Sequence, residues 1–166
     1  MSEVENVAQE SARFFAAFYA VVARKLRERL GEEGLELLKE ALREFGRRRG
    51  EEIRQRVKEK GLPLTLENFV SHYNLPMAPA WRSERHLREK ERSSDIFFCP
   101  FADLWLKEGV PELGLLYCQE VDPAIRKGYR EDLSFESSEN ILKGDPHCHH
   151  EEVLKGEGNP SRREKT

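Results

Sequence analysis

The sequence predicts an α+β fold in which N-terminal helices pack on a small antiparallel β-sheet formed mainly by the C-terminal half. Three observations carry that expectation. Apolar residues recur at helical spacing through the first 60 residues. The second half changes to short β-prone runs punctuated by Gly and Pro, among them Ile96-Phe97-Phe98 and the residues flanking Lys143-Gly144-Asp145-Pro146. The length, 166 residues, is that of one domain. The expected organisation is therefore a single α+β domain over 1–154, with a helical hairpin over 1–62 and a motif-bearing part over 63–154. The stretch 155–166, rich in Gly and charge, is expected to be a disordered tail.

The elements follow in order. Ser2 and Glu5 form an S-x-x-E capping box for a first helix. Ala8, Phe15, Tyr19, Val22 and Leu26, joined by Phe14, Phe18 and Val21, give it one wide apolar face. Leu30-Gly31 stops it. A second helix carries the stripe Leu38, Ala41, Leu42, Phe45, resumed at Ile53 and Val57. Gly46 and Gly50 are expected to weaken its middle by about 1 kcal/mol each relative to Ala. A short helix capped by Thr65 holds Leu66, Phe69, Val70 and Tyr73. Arg85 to Phe98 reads as strand or hairpin. Cys99-Pro100 opens a helix running to Lys107, and Pro111 opens another running to about Tyr129, with a kink or restart expected at Pro123. Ser134 to Ile141 and His147 to Leu154 read as the arms of a hairpin.

Composition removes several function classes. The formal net charge is −3, from 28 basic and 31 acidic residues, so generic nucleic-acid binding has no electrostatic support. The apolar run Phe14 to Ala23 is far shorter than the ~20 residues of a membrane span. Acidic residues precede it rather than the basic segment of a signal peptide. Three cysteines without a secretory signal point to reduced thiols in the cytoplasm. A homodimer through the apolar first helix is the partner expectation, beside a small-molecule substrate.

Chemistry concentrates on the cysteines. With Pro100 at the first helical position, Cys99 is the N-cap, where free N–H groups and the helix dipole favour a thiolate. The alternative is a small buried hydrophobe behind Phe97 and Phe98. Cys118 and Asp122 are four residues apart and share a face if the helix is unbroken. Arg126, four further on, is placed to hold Asp122 ionised. The alternative makes Asp122 the cap of a fresh helix. On a strand, Cys148 and His150 share one face while His147 and His149 share the other, toward solvent. Cys99, Cys118, Cys148 and His150 make a Cys₃His zinc set by residue type, although no C-x₂₋₄-C pair is present. The expectation is no cofactor, with zinc on those four as the alternative. Arg47-Arg48-Arg49 reads as a solvated face, and Trp81, Trp105 and His72 read as structural.

Several motifs occur in a meaningful order: Phe98-Cys99-Pro100-Phe101-Ala102, Gly109, Glu112-Leu113-Gly114, Tyr117-Cys118 with Asp122, Gly128-Tyr129, and Gly144-Asp145-x-x-Cys148. Together they resemble the L-2-amino-thiazoline-4-carboxylic acid hydrolase family, over about residues 64–154. The resemblance implies a hydrolase of non-peptide C–N bonds that opens the 2-amino-thiazoline-4-carboxylate ring to give N-carbamoyl-cysteine. It departs at His150, where the family favours an aromatic residue. The ending is also similar to 4-vinyl-reductase-type ligand-binding domains, which implies as alternative a non-enzymatic sensor-like module. For ring opening, Cys99 is the expected nucleophile, with Asp122 as base or orienting group and Cys118 as second thiol, or as the nucleophile itself if Cys99 is buried. Arg126, Tyr129 and Asp145 are the expected substrate-binding residues, with Arg126 clamping the carboxylate.

Overall fold

A computed structural model describes residues 2–156. The tail expected from residue 155 lies outside the described residues from position 157 onward. The chain forms α1 (Glu3–Leu30), α2 (Glu32–Glu59), α3 (Leu66–Ser71), β1 (Arg82–Leu87), β2 (Glu91–Phe98), α4 (Pro100–Lys107), α5 (Pro111–Tyr129), β3 (Leu133–Glu139) and β4 (Cys148–Leu154). Short 3₁₀ turns cover Ala78–Ala80 and Ile141–Lys143. The sheet order is β1-β2-β4-β3, antiparallel throughout. The fold is α+β, with helices laid over one face of the sheet.

Helix starts follow the sequence signals. The Ser2 hydroxyl accepts from Glu5 N–H while Glu5 accepts from Ser2 N–H, closing the capping box. Thr65 caps α3 and Cys99 caps α4, with Pro100 next. Gly31, at φ 59°, turns the chain between α1 and α2.

The inner face of α1 matches the expected one in part: Ala8 and Tyr19 are buried and Phe15 and Leu26 pack against the core, but other expected residues face outward. Ala8, Ala12, Ala16, Ala20 and Ala23 are buried together with Tyr19. Phe14 is 80% exposed, and Phe18, Val21 and Val22 also face outward. Small residues let α1 sit close to α4, where Trp105 Nε1 donates to Ala16 O at 3.0 Å. Tyr19 Oη donates to Leu113 O at 2.7 Å.

Two glycines expected to weaken α2 set its packing instead. A Cβ on Gly46 would stand 2.7 Å from Val121 O, and one on Gly50 would stand 2.0 Å from Ile125 O. The α2 and α5 backbones touch there. That contact also explains why α5 runs through Pro123 without the expected break. Val121 and Ile125 on either side are almost wholly buried against α2. Cys118, Asp122 and Arg126 consequently lie on one continuous helical face.

Candidate active site

The inner sheet face is built by alternation. Arg92, Ser94 and Ile96 of β2 stand opposite Glu152, His150 and Cys148 of β4. Arg85 of β1 pairs with Ser94. Above this face run α5, the start of α4 and the middle of α2. Between the layers lies a cavity of about 250 Å³. Its wall carries three free thiols, Cys99, Cys118 and Cys148, with Asp122 and His150. It also carries four arginines, Arg49, Arg85, Arg92 and Arg126, and the apolar rings of Tyr73, Trp81, Phe101 and Tyr117. A hollow of about 430 Å³ beside the start of α1 has no thiol or imidazole in its lining.

Cys99 is half-buried, and its sulfur accepts from Ala102 N–H at 3.5 Å. The expected N-cap geometry is present, but the expected ionisation is not. Burial pushes the thiol up to about 12, and the backbone N–H groups of Ala102 and Phe101 offset only part of that. Cys118 is raised well above the ordinary thiol range, first by burial and then by the negative charge of Asp122. Cys148 is raised mainly by burial, and its sulfur accepts from Ile141 N–H at 3.4 Å. His150 is lowered, chiefly by burial, and so is neutral near neutral pH.

Arg126 does not offer a free fork. Its Nε donates to Glu152 Oε1 at 2.7 Å, and its NH1 donates to both Asp122 O and Asp122 Oδ1. Its guanidinium also lies 4.4 Å from the Phe135 ring centre. Burial works against its charge and is the largest single effect, but Glu152, Tyr73 and Asp122 together more than compensate. Glu152 in turn is held below the usual carboxylate range. Burial alone would raise it, but Arg126 and Arg92 outweigh that effect. Arg126 thus positions Asp122 against the buried Glu152. Arg92 donates from NH1 to Glu152 Oε2 at 2.7 Å, yet its buried Nε has no partner. Arg85 forms no ion pair among the described residues.

Tyr129 and Asp145 fall outside the cavity lining. Tyr129 is buried against Phe69, and its hydroxyl donates to Thr65 O at 2.8 Å, tying α5 to the α3 cap. Asp145 Oδ2 accepts from Asn140 N–H at 2.7 Å and shapes the β3–β4 connection. The donors of Cys99, Cys118, Cys148 and His150 do not close into a metal-sized group. Among the described residues, the set whose donor atoms all lie within 4.8 Å of one another is Asp95, His147 and His149.

The profile of the family described as L-2-amino-thiazoline-4-carboxylic acid hydrolase matches residues 9–151. The chain belongs to that family. No curated protein matches it. Among solved structures it is similar to a trafficking protein particle complex subunit 3 from Naegleria fowleri covalently bound to palmitic acid. Identity is 16%, with 87% of this chain and 95% of that chain covered and a TM-score of 0.55. That likeness is one of fold.

Within this hydrolase family member, the cavity contains residues that the motifs did not flag. Arg49 turns inward from the run expected to be solvated, with its guanidinium 5.4 Å from the Tyr73 ring centre. Trp81 and Tyr73 are wall residues as well as packing residues. The strand alternation holds the missed signal, because Arg92 and Ile96 share parity across β2. No helix among the described residues is long and apolar enough to cross a membrane.

Proposed function

We propose that the cavity opens the ring of a small cyclic amidine bearing a carboxylate, the reaction named for the family. One observation carries this reading: a single cavity of about 250 Å³ unites three thiols, Asp122 and His150 with four arginines. Four arginines around a space of that size suit a compact anion.

The roles follow from the chemistry. Arg85 and the unpartnered Nε of Arg92 receive the substrate carboxylate, since Arg126 is already engaged. The Cys99 sulfur bonds to carbon 2 as the ring carbon–sulfur bond breaks, and the ring sulfur leaves carrying the Cys99 proton. Water then adds at carbon 2, and Cys99 departs as the thiol. One water is consumed and N-carbamoyl-cysteine forms. His150, neutral in this setting, and Asp122 accept and return the proton of that water. The reaction needs no resident cofactor. The three free thiols suit a reducing, cytoplasmic setting.

The raised thiols favour one rival, a binding module that holds its ligand without turnover. Incubating the wild-type chain with 2-amino-thiazoline-4-carboxylate separates the two. Hydrolysis predicts N-carbamoyl-cysteine by mass spectrometry. A rise in melting temperature with no product supports the rival.

The proposed partner is a second copy. Val4, Val7, Phe14, Phe18 and Val21 lie exposed along α1 at the three- and four-residue spacing of a helix-pairing seam, interrupted at Ser11. Glu3 and Glu10 near its start and Lys25 and Arg29 near its end make that seam complementary to an antiparallel copy of itself.

A further inference from the structure

On the outer face of the sheet, opposite the cavity, Asp95 of β2 stands across from His149 of β4, with His147 just before that strand. His149 Nδ1 lies 2.6 Å from Asp95 Oδ1, and His147 Nε2 lies 3.4 Å from the same oxygen. All three donors lie within 4.8 Å of one another. A tetrahedral ion with bonds of about 2.0–2.2 Å holds its ligands about 3.3–3.5 Å apart. The His147–Asp95 separation already meets that spacing, and a small imidazole rotation brings His149 to it. Each side chain is about a quarter exposed, so an ion can reach the group while its rings stay packed. The His147 ring lies against Phe97, with centres 5.6 Å apart.

We propose that Asp95, His147 and His149 form a divalent-metal site of the zinc type, separate from the cavity and independent of the function proposed for it. Two imidazoles select a borderline transition ion over magnesium or calcium, which prefer all-oxygen ligands. The surrounding carboxylates complete the arrangement. Glu151 Oε1 lies 3.6 Å from His149 Nε2, the far ring nitrogen, beyond hydrogen-bond distance, and adds negative charge on that side. Glu139 Oε2 lies 3.2 Å from His147 Nε2 and adds negative charge beside the ion. The fourth position is left to water. The ion would join β2 to the start of β4 one residue from the Ile96–Cys148 pair, which faces the cavity. Its effect on the site is to stiffen one wall.

Zinc binding to the full chain, measured in competition with a chromophoric chelator, tests this. The expected results are one ion per wild-type chain and an affinity at least about tenfold weaker in a His147→Ala/His149→Ala variant. Circular dichroism confirms that the variant is folded. A Cys99→Ser/Cys118→Ser/Cys148→Ser variant keeps wild-type affinity. Cobalt bound to the wild-type chain shows no thiolate charge-transfer band, a reading that does not depend on the cysteine variant folding. No uptake by the wild-type chain, unchanged affinity in the histidine variant, or a thiolate band with cobalt overturns the proposal.

Discussion

At Cys99 two physical effects oppose each other, and burial is the larger. The helix N-terminus presents N–H groups to the sulfur, yet the apolar wall pushes the thiol up to about 12. The Cys99 thiol is therefore protonated at neutral pH. Iodoacetamide at pH 8 is expected to alkylate Cys99 at least about tenfold more slowly than free cysteine, as read by peptide mass spectrometry. Glu152 is the second decisive residue. Its carboxyl is held low by Arg126 and Arg92 against the effect of burial. As pH falls, the unfolded chain takes up this proton first. The contribution of Glu152 is therefore complete above the ordinary carboxylate value of about 4.3 and declines as pH drops through its lower folded value. Glu152→Gln leaves Arg126 without its main partner and is expected to cost about 3–5 kcal/mol at neutral pH. Its melting temperature falls less steeply below pH about 4 than that of the wild type. Thermal melts across pH check both statements.

Among the elements, the α2–α5 contact decides where the site residues stand. Because Gly46 and Gly50 admit the α5 backbone, Arg49 of α2 and Asp122 of α5 line the same cavity. An exposed Gly→Ala in a helix gains about 1 kcal/mol. At Gly50 the new methyl meets a backbone oxygen that cannot swing aside, so Gly50→Ala is expected to lose about 1–3 kcal/mol by chemical denaturation. The same contact shows what was legible in the sequence. The capping box, the Thr65 and Cys99 caps and the strand parity of Cys148 and His150 are local signals, and each appears at its expected place. The continuity of α5 through Pro123, the inward turn of Arg49 and the saturation of Arg126 by Glu152 depend on neighbours distant in sequence. No local pattern specifies them. The apolar face of α1 misled in part for a related reason: periodicity marks apolar positions, but close helix packing admits its alanines with Tyr19 and Phe15 and leaves Phe14 and Phe18 outside.

For the molecule as a whole, the exposed seam of α1 and the enclosed cavity make separate demands. If two copies pair through α1, Phe14→Glu/Phe18→Glu is expected to convert a dimer to a monomer by light scattering while leaving the fold intact by circular dichroism. The cavity lies across the core from that seam, so turnover per chain should persist. The helices and sheet also enclose an arginine-bearing cavity in a fold whose relative is covalently bound to palmitic acid, so the ligand class is read from the lining rather than from the architecture. The central claim is that the thiol-lined cavity hydrolyses an amino-thiazoline carboxylate. The most direct test is the turnover of 2-amino-thiazoline-4-carboxylate by wild-type and Cys99→Ala chains, with N-carbamoyl-cysteine measured by mass spectrometry. The account predicts product from the wild-type chain and a loss of at least about 10³-fold in kcat with Cys99→Ala. Equal turnover by the two chains would contradict it.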